Sequence, residues 1–173
     1  EVLKKEANQL EKEISLKVSD LTKAETTTWE LIQKQLQPNE AAIEIIRTNL
    51  IYPENTEGSN YSYIIIPSKG DPFPVVIDRK LSWEDEVLTL YRNSINDKKN
   101  DTDLYRRLWK HVNDKIKGIT TIYVSPDGIY NQVNLNTLIN GETNKFAIEE
   151  KDIHYITTLK DLVYLKQYTT NKP

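Results

Sequence analysis

The sequence of 173 residues contains no cysteine. That absence excludes disulfides, thiolate metal sites and a cysteine nucleophile within these residues. Histidine is nearly missing as well: there are two, His111 and His154, so metal chemistry is thinly supplied. Five glycines leave little room for a Gly-x-Gly-x-x-Gly turn, and no phosphate-cradling Lys motif is present, which disfavours nucleotide binding. No apolar run approaches the ~20 residues that cross a bilayer, so no membrane span is expected. Basic residues do not predominate. With 23 Lys and Arg against 26 Asp and Glu, the formal net charge is -3 and the pI about 5.5, which gives no field to gather polyanions. Nucleic acid is therefore not expected as a partner, and neither a cofactor nor a metal is expected.

What is present describes one soluble domain. A chain of this length buries roughly 70% of its extended surface, enough for a self-sufficient core, and 38% hydrophobic with 28% charged residues is ordinary for a globular protein. The chain begins at Glu1, without an initiator methionine or a basic-then-apolar signal, and is expected to be a piece excised from a longer one.

The stretch that organises the rest is Ile119 to Leu138. β-Branched and aromatic residues from Ile119 to Val124 predict a central strand buried on both faces. Pro126 and Asp127-Gly128 then predict that it stops near Ser125. Upstream, Leu3, Ala7, Leu10, Ile14, Val18 and Leu21 recur at three-four spacing and predict an amphipathic helix over Glu1 to Leu21. Such a helix suits either a segment lying along its own domain or the last helix of a preceding array. A capping pattern at Thr27 and Glu30 introduces a short helix from Trp29 to Leu36. Strands are predicted at Ala41 to Ile46, Tyr61 to Ile66 and Phe73 to Ile77, the last either at an edge or beginning late because Pro74 cannot donate to a ladder. The polar run Pro53 to Asn60 reads as an exposed connector.

Ser82 and Asp85 cap a helix carrying Trp83, Val87, Leu88, Tyr91 and Ile95. A second helix carries Leu104, Tyr105, Leu108, Trp109, Val112 and Ile116 and ends at Gly118. Delivered straight into Ile119, it predicts a crossover and hence a parallel pairing. Beyond the turn, one helical turn presents Leu135 and Leu138, and Asn140 to Asn144 reverses the chain. Short strands follow at Phe146 to Ile148 and Ile153 to Ile156, and Thr158 with Asp161 caps a last helix. The class is α/β: a mixed, partly parallel sheet covered by helices, with the N-terminal amphipathic helix in front.

Trp29 to Leu36, Pro38 to Glu44, Leu108-Trp109, Ile122 to Gly128 with Asn134-Leu135 and Leu138, and Ile153 to Thr158 together resemble the front part of CHAT domains. Those are caspase-like domains that commonly follow tetratricopeptide repeats. The similarity covers about Trp29 to Tyr168, and the strand leading into Ser125-Pro126-Asp127-Gly128 is its most specific piece. It divides the chain into a linker helix at 1–26, similar to the segment that follows the repeats, the front half of a CHAT-like domain at 27–168, and a frayed tail at 169–173. The resemblance implies a cysteine peptidase of the caspase and separase kind, working through a His–Cys pair. In the family both catalytic residues lie beyond the part matched here. It therefore implies a non-catalytic, pseudo-caspase front half in the cytoplasm, whose partners are a downstream catalytic half of the same chain, upstream helical repeats and other proteins. No catalytic residue is carried over.

Read on their own, the candidate residues are modest. His154 lies in a strand pattern with no cysteine to activate, and His111 flanks an apolar helical stripe. Ser125 to Gly128 end a strand where open α/β sheets place ligands, yet a turn demands the same residue types. Lys98 to Asp101 is a mixed-charge loop. Tyr52, Tyr61 and Tyr63 suit either an interface or the core. A stand-alone interaction module, binding proteins through the first helix and these tyrosines, is the alternative function, and a small-molecule enzyme using Asp127 is a weaker third.

Overall fold

The computed structural model describes residues 27–51, 57–79 and 83–170, together with position 9. The predicted helix at Glu1 to Leu21, the Ser82 cap, Tyr52 and residues 171–173 lie outside the described residues.

Helix α1 (Trp29–Gln33) leads into the long strand β1 (Glu40–Ile51), and β2 (Glu57–Pro67) and β3 (Phe73–Arg79) follow. Helices α2 (Trp83–Asn96), α3 (Thr102–Leu108) and α4 (Lys110–Asn113) then carry the chain to β4 (Thr121–Ser125). Two 3-10 turns, Gly128–Asn131 and Leu135–Thr137, precede a small hairpin of β5 (Ile139–Asn140) and β6 (Lys145–Phe146). The short helix α5 (Ala147–Glu150), β7 (Asp152–Tyr155) and α6 (Leu159–Thr170) complete the chain.

Five strands form one mixed sheet in the order β3-β2-β1-β4-β7. β1 pairs antiparallel with β2 and parallel with β4, and β4 pairs parallel with β7. The helical passage from β3 to β4 thus makes the parallel crossover that the sequence predicts, with β3 at an edge. The middle strand, however, is β1. β4 is interior but lies fourth, because β7 alone follows it.

Strand alternation builds two cores. Ile43, Ile45, Tyr61, Tyr63, Ile65, Ile122 and Val124 point to one face, under Trp83 and Val87 of α2 and Leu104, Leu108 and Val112 of α3 and α4. Ala42 and Ile66 point to the other, under Ile32 of α1, Leu36 just beyond it, and Leu159 and Leu162 of α6. Each fully buried Leu or Ile contributes roughly 1.5 to 3 kcal/mol, so these stripes hold the helices on the sheet. Within the larger core, Tyr130 donates from its hydroxyl to the Leu108 carbonyl (2.9 Å) and contacts the Tyr63 hydroxyl.

Several local expectations are corrected. Ser59, assigned from sequence to an exposed connector, is in β2 and buried. The helix read as continuous to Ile116 breaks at Trp109 (φ -127°, ψ -32°), although every residue of its stripe is buried. Ile95, placed with the apolar stripe of α2, is exposed. Ala147-Ile148 is helical, not extended, because the Glu149 carboxylate accepts the Phe146 amide (2.7 Å) and caps a turn there. The first helix ends at Gln33 and not Leu36, Thr28 rather than Thr27 holds its N-cap position without a side-chain capping bond, and α6 continues to Thr170.

Candidate functional site

The Ser125-Pro126-Asp127-Gly128 turn sits at the end of β4, and every polar side chain in it is already engaged. β1 runs well past the end of its β4 partner, since their pairing stops at Glu44 and Ser125. The Arg47 amide beyond that point has no ladder partner on the β4 side, and the Asp127 carboxylate accepts it (2.9 Å). The other oxygen of Asp127 accepts the Gly128 amide (2.7 Å).

Behind the turn lies a cluster centred on Glu84, in the first turn of α2. Its carboxylate accepts Arg47 through Nε (2.6 Å) and Nη2 (3.0 Å), Ser59 Oγ (2.9 Å) and the Tyr61 hydroxyl (2.5 Å). The Tyr61 oxygen in turn accepts the Ile129 amide (3.0 Å). Burial pushes the Glu84 carboxyl up, but the hydrogen bonds from Arg47, Tyr61 and Ser59 outweigh it and hold the group below its ordinary range. Tyr61 is raised, by burial first and then by its bond to Glu84. Arg47 is raised by the same carboxylate. Gly128 takes a positive φ of +56°, and a Cβ there would strike the Tyr61 hydroxyl and lie 2.6 Å from Arg47 Cδ. The glycine is demanded by backbone conformation and by packing together.

A second group lies at the other side of the β4 end. Ser125, 3% exposed, donates to Glu44 (2.8 Å) and approaches the Thr157 carbonyl (3.3 Å). Glu44 is raised, chiefly by burial, with the nearby Asp127 charge adding to it, against hydrogen bonds from Ser125 and the Leu159 amide. Glu40, on the same strand, accepts Lys166 of α6 (2.9 and 2.8 Å) and the Tyr123 hydroxyl (3.2 Å), and Lys166 also lies 5.0 Å from the Tyr123 ring centre.

The remaining sequence candidates separate. His154 is exposed, stacks on Tyr123 (centroids 5.2 Å) and bonds Asp152 through Nε2 (2.8 Å). His111 is exposed on α4. Asp101 accepts the Asp103 (2.8 Å) and Leu104 (3.3 Å) amides as the cap of α3, and Lys99 pairs with Asp97 (2.9 Å). Tyr61 and Tyr63 are fully buried, which settles them in the core.

Chemically this arrangement is a latch. Ser125 is too buried to meet a substrate and faces a carboxyl, with the imidazole of His154 turned to Asp152. Asp127 and Glu84 have their oxygens occupied by fixed donors. Among the described residues no three His, Asp or Glu side chains gather in a way that could hold a metal ion, and no helix is long and apolar enough to cross a membrane. The sequence reading did not single out Arg47, Glu84, Ser59, Glu44 or Lys166. The one signal was charge inside a strand: Glu44 and Arg47 interrupt the apolar run of β1, but the partners that build the cluster, Ser125 and Glu84, lie 81 and 37 residues away. No family model and no curated protein matches the chain.

Proposed function

We propose that residues 27–168 are the non-catalytic front half of a CHAT, caspase-like cysteine peptidase domain. It scaffolds a catalytic half encoded downstream and couples it to helical repeats upstream. The observation that carries the reading is the state of β7. It is an edge strand running parallel to β4, with no partner on its outer side among the described residues. Unpaired edges of parallel strands are ordinarily covered or extended. Ile148 (61%) of the preceding helix α5 and Tyr155 (38%) of β7 itself expose apolar surface. A further parallel strand from a downstream half would pair with β7 and cover those side chains. The latch at the Ser-Pro-Asp-Gly turn suits a supporting role, because it fixes the end of β4 without leaving a reactive group.

The test begins with the coding sequence past Pro173, where the reading requires a histidine and a cysteine. The extended protein is expected to cleave peptides and the 173-residue chain to show no turnover. Hydrogen exchange of the β7 amides is expected to slow in the extended protein. Turnover by the 173-residue chain after purification controls overturns the reading. A stop codon directly after Pro173 does so too, in favour of a stand-alone interaction module.

A further inference from the structure

Two of the large apolar side chains that the fold leaves exposed come from distant elements and meet at one cavity. Ile95, at the end of α2, is 52% exposed, and Phe146, in β6, is 44% exposed. Both line a cavity of about 280 Å³, to which the buried Leu104, Leu138 and Ile139 also contribute. That is nearly twice the ~150 Å³ apolar cavity that accepts a benzene ring. A single exposed apolar residue is ordinary, but two that converge on a concave, largely apolar space have the form of a small-molecule site. The charged residues of the lining are Lys98, Lys99 and Asp101, so it is basic on balance in a chain whose formal net charge is -3. Lys99 pairs with Asp97 (2.9 Å), and Asp101 accepts the Asp103 and Leu104 amides as the cap of α3. The Lys98 ammonium has no hydrogen bond or ion pair among the described residues.

The backbone makes that lysine a costly choice. Lys98 has a φ of +53°, the left-handed conformation that closes a helix and favours glycine or asparagine. The other positive-φ positions among the described residues are Gly70, Gly118, Gly128 and Asn144. The conformation is fixed by the end of α2, where the Lys99 amide donates to the Ser94 carbonyl (3.0 Å) and the Ser94 hydroxyl to the Lys99 carbonyl (2.8 Å). An unpaired cation therefore stands, against local preference, beside a preformed apolar cavity. We propose that the cavity binds a small amphipathic carboxylate, its alkyl or aryl tail among Ile95, Leu138 and Phe146 and its carboxylate at Lys98. Charge selects this occupant: an alkylammonium of the same length would meet an unpaired like charge, and a neutral chain would leave Lys98 without a partner. Because the loop is already hydrogen-bonded in place, binding costs little ordering entropy. The proposal does not depend on the peptidase reading.

Octanoate, octanol and octylammonium share a tail and differ in charge. Each is titrated into the isotope-labelled full chain and followed by amide NMR. Octanoate is expected to shift the amides of Ile95, Lys98, Leu138 and Phe146, with a Kd on the order of a millimolar for about ten heavy atoms. It is expected to bind about threefold to fivefold more tightly than octanol, as much as an exposed ion pair supplies, and octylammonium to bind most weakly. Lys98→Gly separates a ligand role from a structural one. Glycine suits the backbone there, so the melting temperature is expected to hold or rise while the preference for octanoate over octanol disappears. Phe146→Ala, at an exposed position, is expected to weaken octanoate and octanol together by about fivefold. No shift at these amides, equal binding of the three probes, a preference for octylammonium drawn by Asp101, or an octanoate preference that survives Lys98→Gly would each overturn the proposal.

Discussion

Gly128→Ala separates the two reasons for a glycine in the turn. Three glycines, Gly70, Gly118 and Gly128, have positive φ, but a Cβ added to Gly118 (φ +83°) meets nothing within 4 Å. Gly118→Ala therefore carries only the conformational term, about 1 to 2 kcal/mol. Gly128→Ala carries that term and also drives Cβ into the Tyr61 hydroxyl and Arg47 Cδ. The Tyr61 ring is hemmed in by Trp83 (5.8 Å) and Tyr130 (5.3 Å), so it can yield only by giving up its hydrogen bonds. The bond to the charged Glu84 contributes roughly 1.5 kcal/mol or more and the one from the Ile129 amide about 1 kcal/mol. The total approaches 4 kcal/mol, a large part of the ~5 to 15 kcal/mol that holds a domain folded. Urea unfolding followed by tryptophan fluorescence reads the difference. With a slope near 2 kcal/mol/M, the midpoint is expected to fall by about 2 M for Gly128→Ala and by about 0.5 to 1 M for Gly118→Ala. Adding Tyr61→Phe to Gly128→Ala is expected to cost less than Tyr61→Phe alone, since the clashing oxygen is gone. Equal midpoint shifts for the two alanine variants would refute the packing argument.

Glu84→Gln removes the charge that Arg47, Ser59 and Tyr61 address and is expected to cost about 2 kcal/mol at pH 7. Because the folded carboxyl lies below the ordinary 4.5, that contribution is complete above pH 4.5 and disappears as the pH falls through the folded value. Melting temperatures of native and variant must then converge as the pH is lowered below 4.5, and a constant gap contradicts the assignment. Glu44→Gln has the opposite sign. Its carboxyl is raised by burial, so the folded state binds the proton more tightly and native stability falls as the pH rises through and beyond 4.5. The variant is expected to gain on the native protein between pH 4 and pH 7 in the same melts; a loss over that range refutes it. Asp127→Asn keeps an acceptor for the Arg47 amide, whereas Asp127→Ala orphans it at a cost of roughly 1 to 3 kcal/mol. Hydrogen exchange at Arg47 checks this: the amide is expected to be fast in Asp127→Ala and slow in Asp127→Asn.

The parts of the fold readable from sequence were those decided within a few residues. Tyr61 to Ile66 and β4 are strands where expected, although β4 begins at Thr121 and not Ile119 and alternates buried with half-buried positions where burial on both faces was expected, and Leu104 to Ile116 forms one buried stripe despite the break at Trp109. Pro74 marked an edge because a missing amide has the same consequence in any fold. Elements decided by distant partners were not readable. Glu57 to Asn60 is polar throughout, yet it extends β2 because β1 continues opposite it as far as Ile51 and Ser59 finds Glu84 across the core. Ala147-Ile148 looks extended by composition, but a single carboxylate from Glu149 turns it into a helix. The candidate site was half legible for the same reason. The turn residues Ser125 to Gly128 announced themselves, while their partners, Glu44 and the Arg47 amide of β1 and the Tyr61 hydroxyl of β2, and Glu84 of α2 behind these, are distant in sequence.

That distribution of partners explains why the turn is built as it is. β1 is the seam of the sheet, antiparallel to β2 on one side and parallel to β4 on the other. Since β4 ends at Ser125 while β1 goes on to Ile51, the seam leaves backbone donors without a ladder where the two halves of the sheet part. Three bonds close that gap. Ser125 ties to Glu44 on β1, Asp127 takes the Arg47 amide of β1, and Tyr61 of β2 takes the Ile129 amide just past the turn. Each fastens the chain leaving β4 to the antiparallel half, and Glu84 then locks Arg47 and Tyr61 to α2. The end of β4 is thereby held from the side opposite to β7. Whatever pairs with the outer edge of β7 meets a strand whose inner neighbour is held by three elements, β1, β2 and α2, a mechanical property suited to a scaffold and independent of any chemistry at the turn.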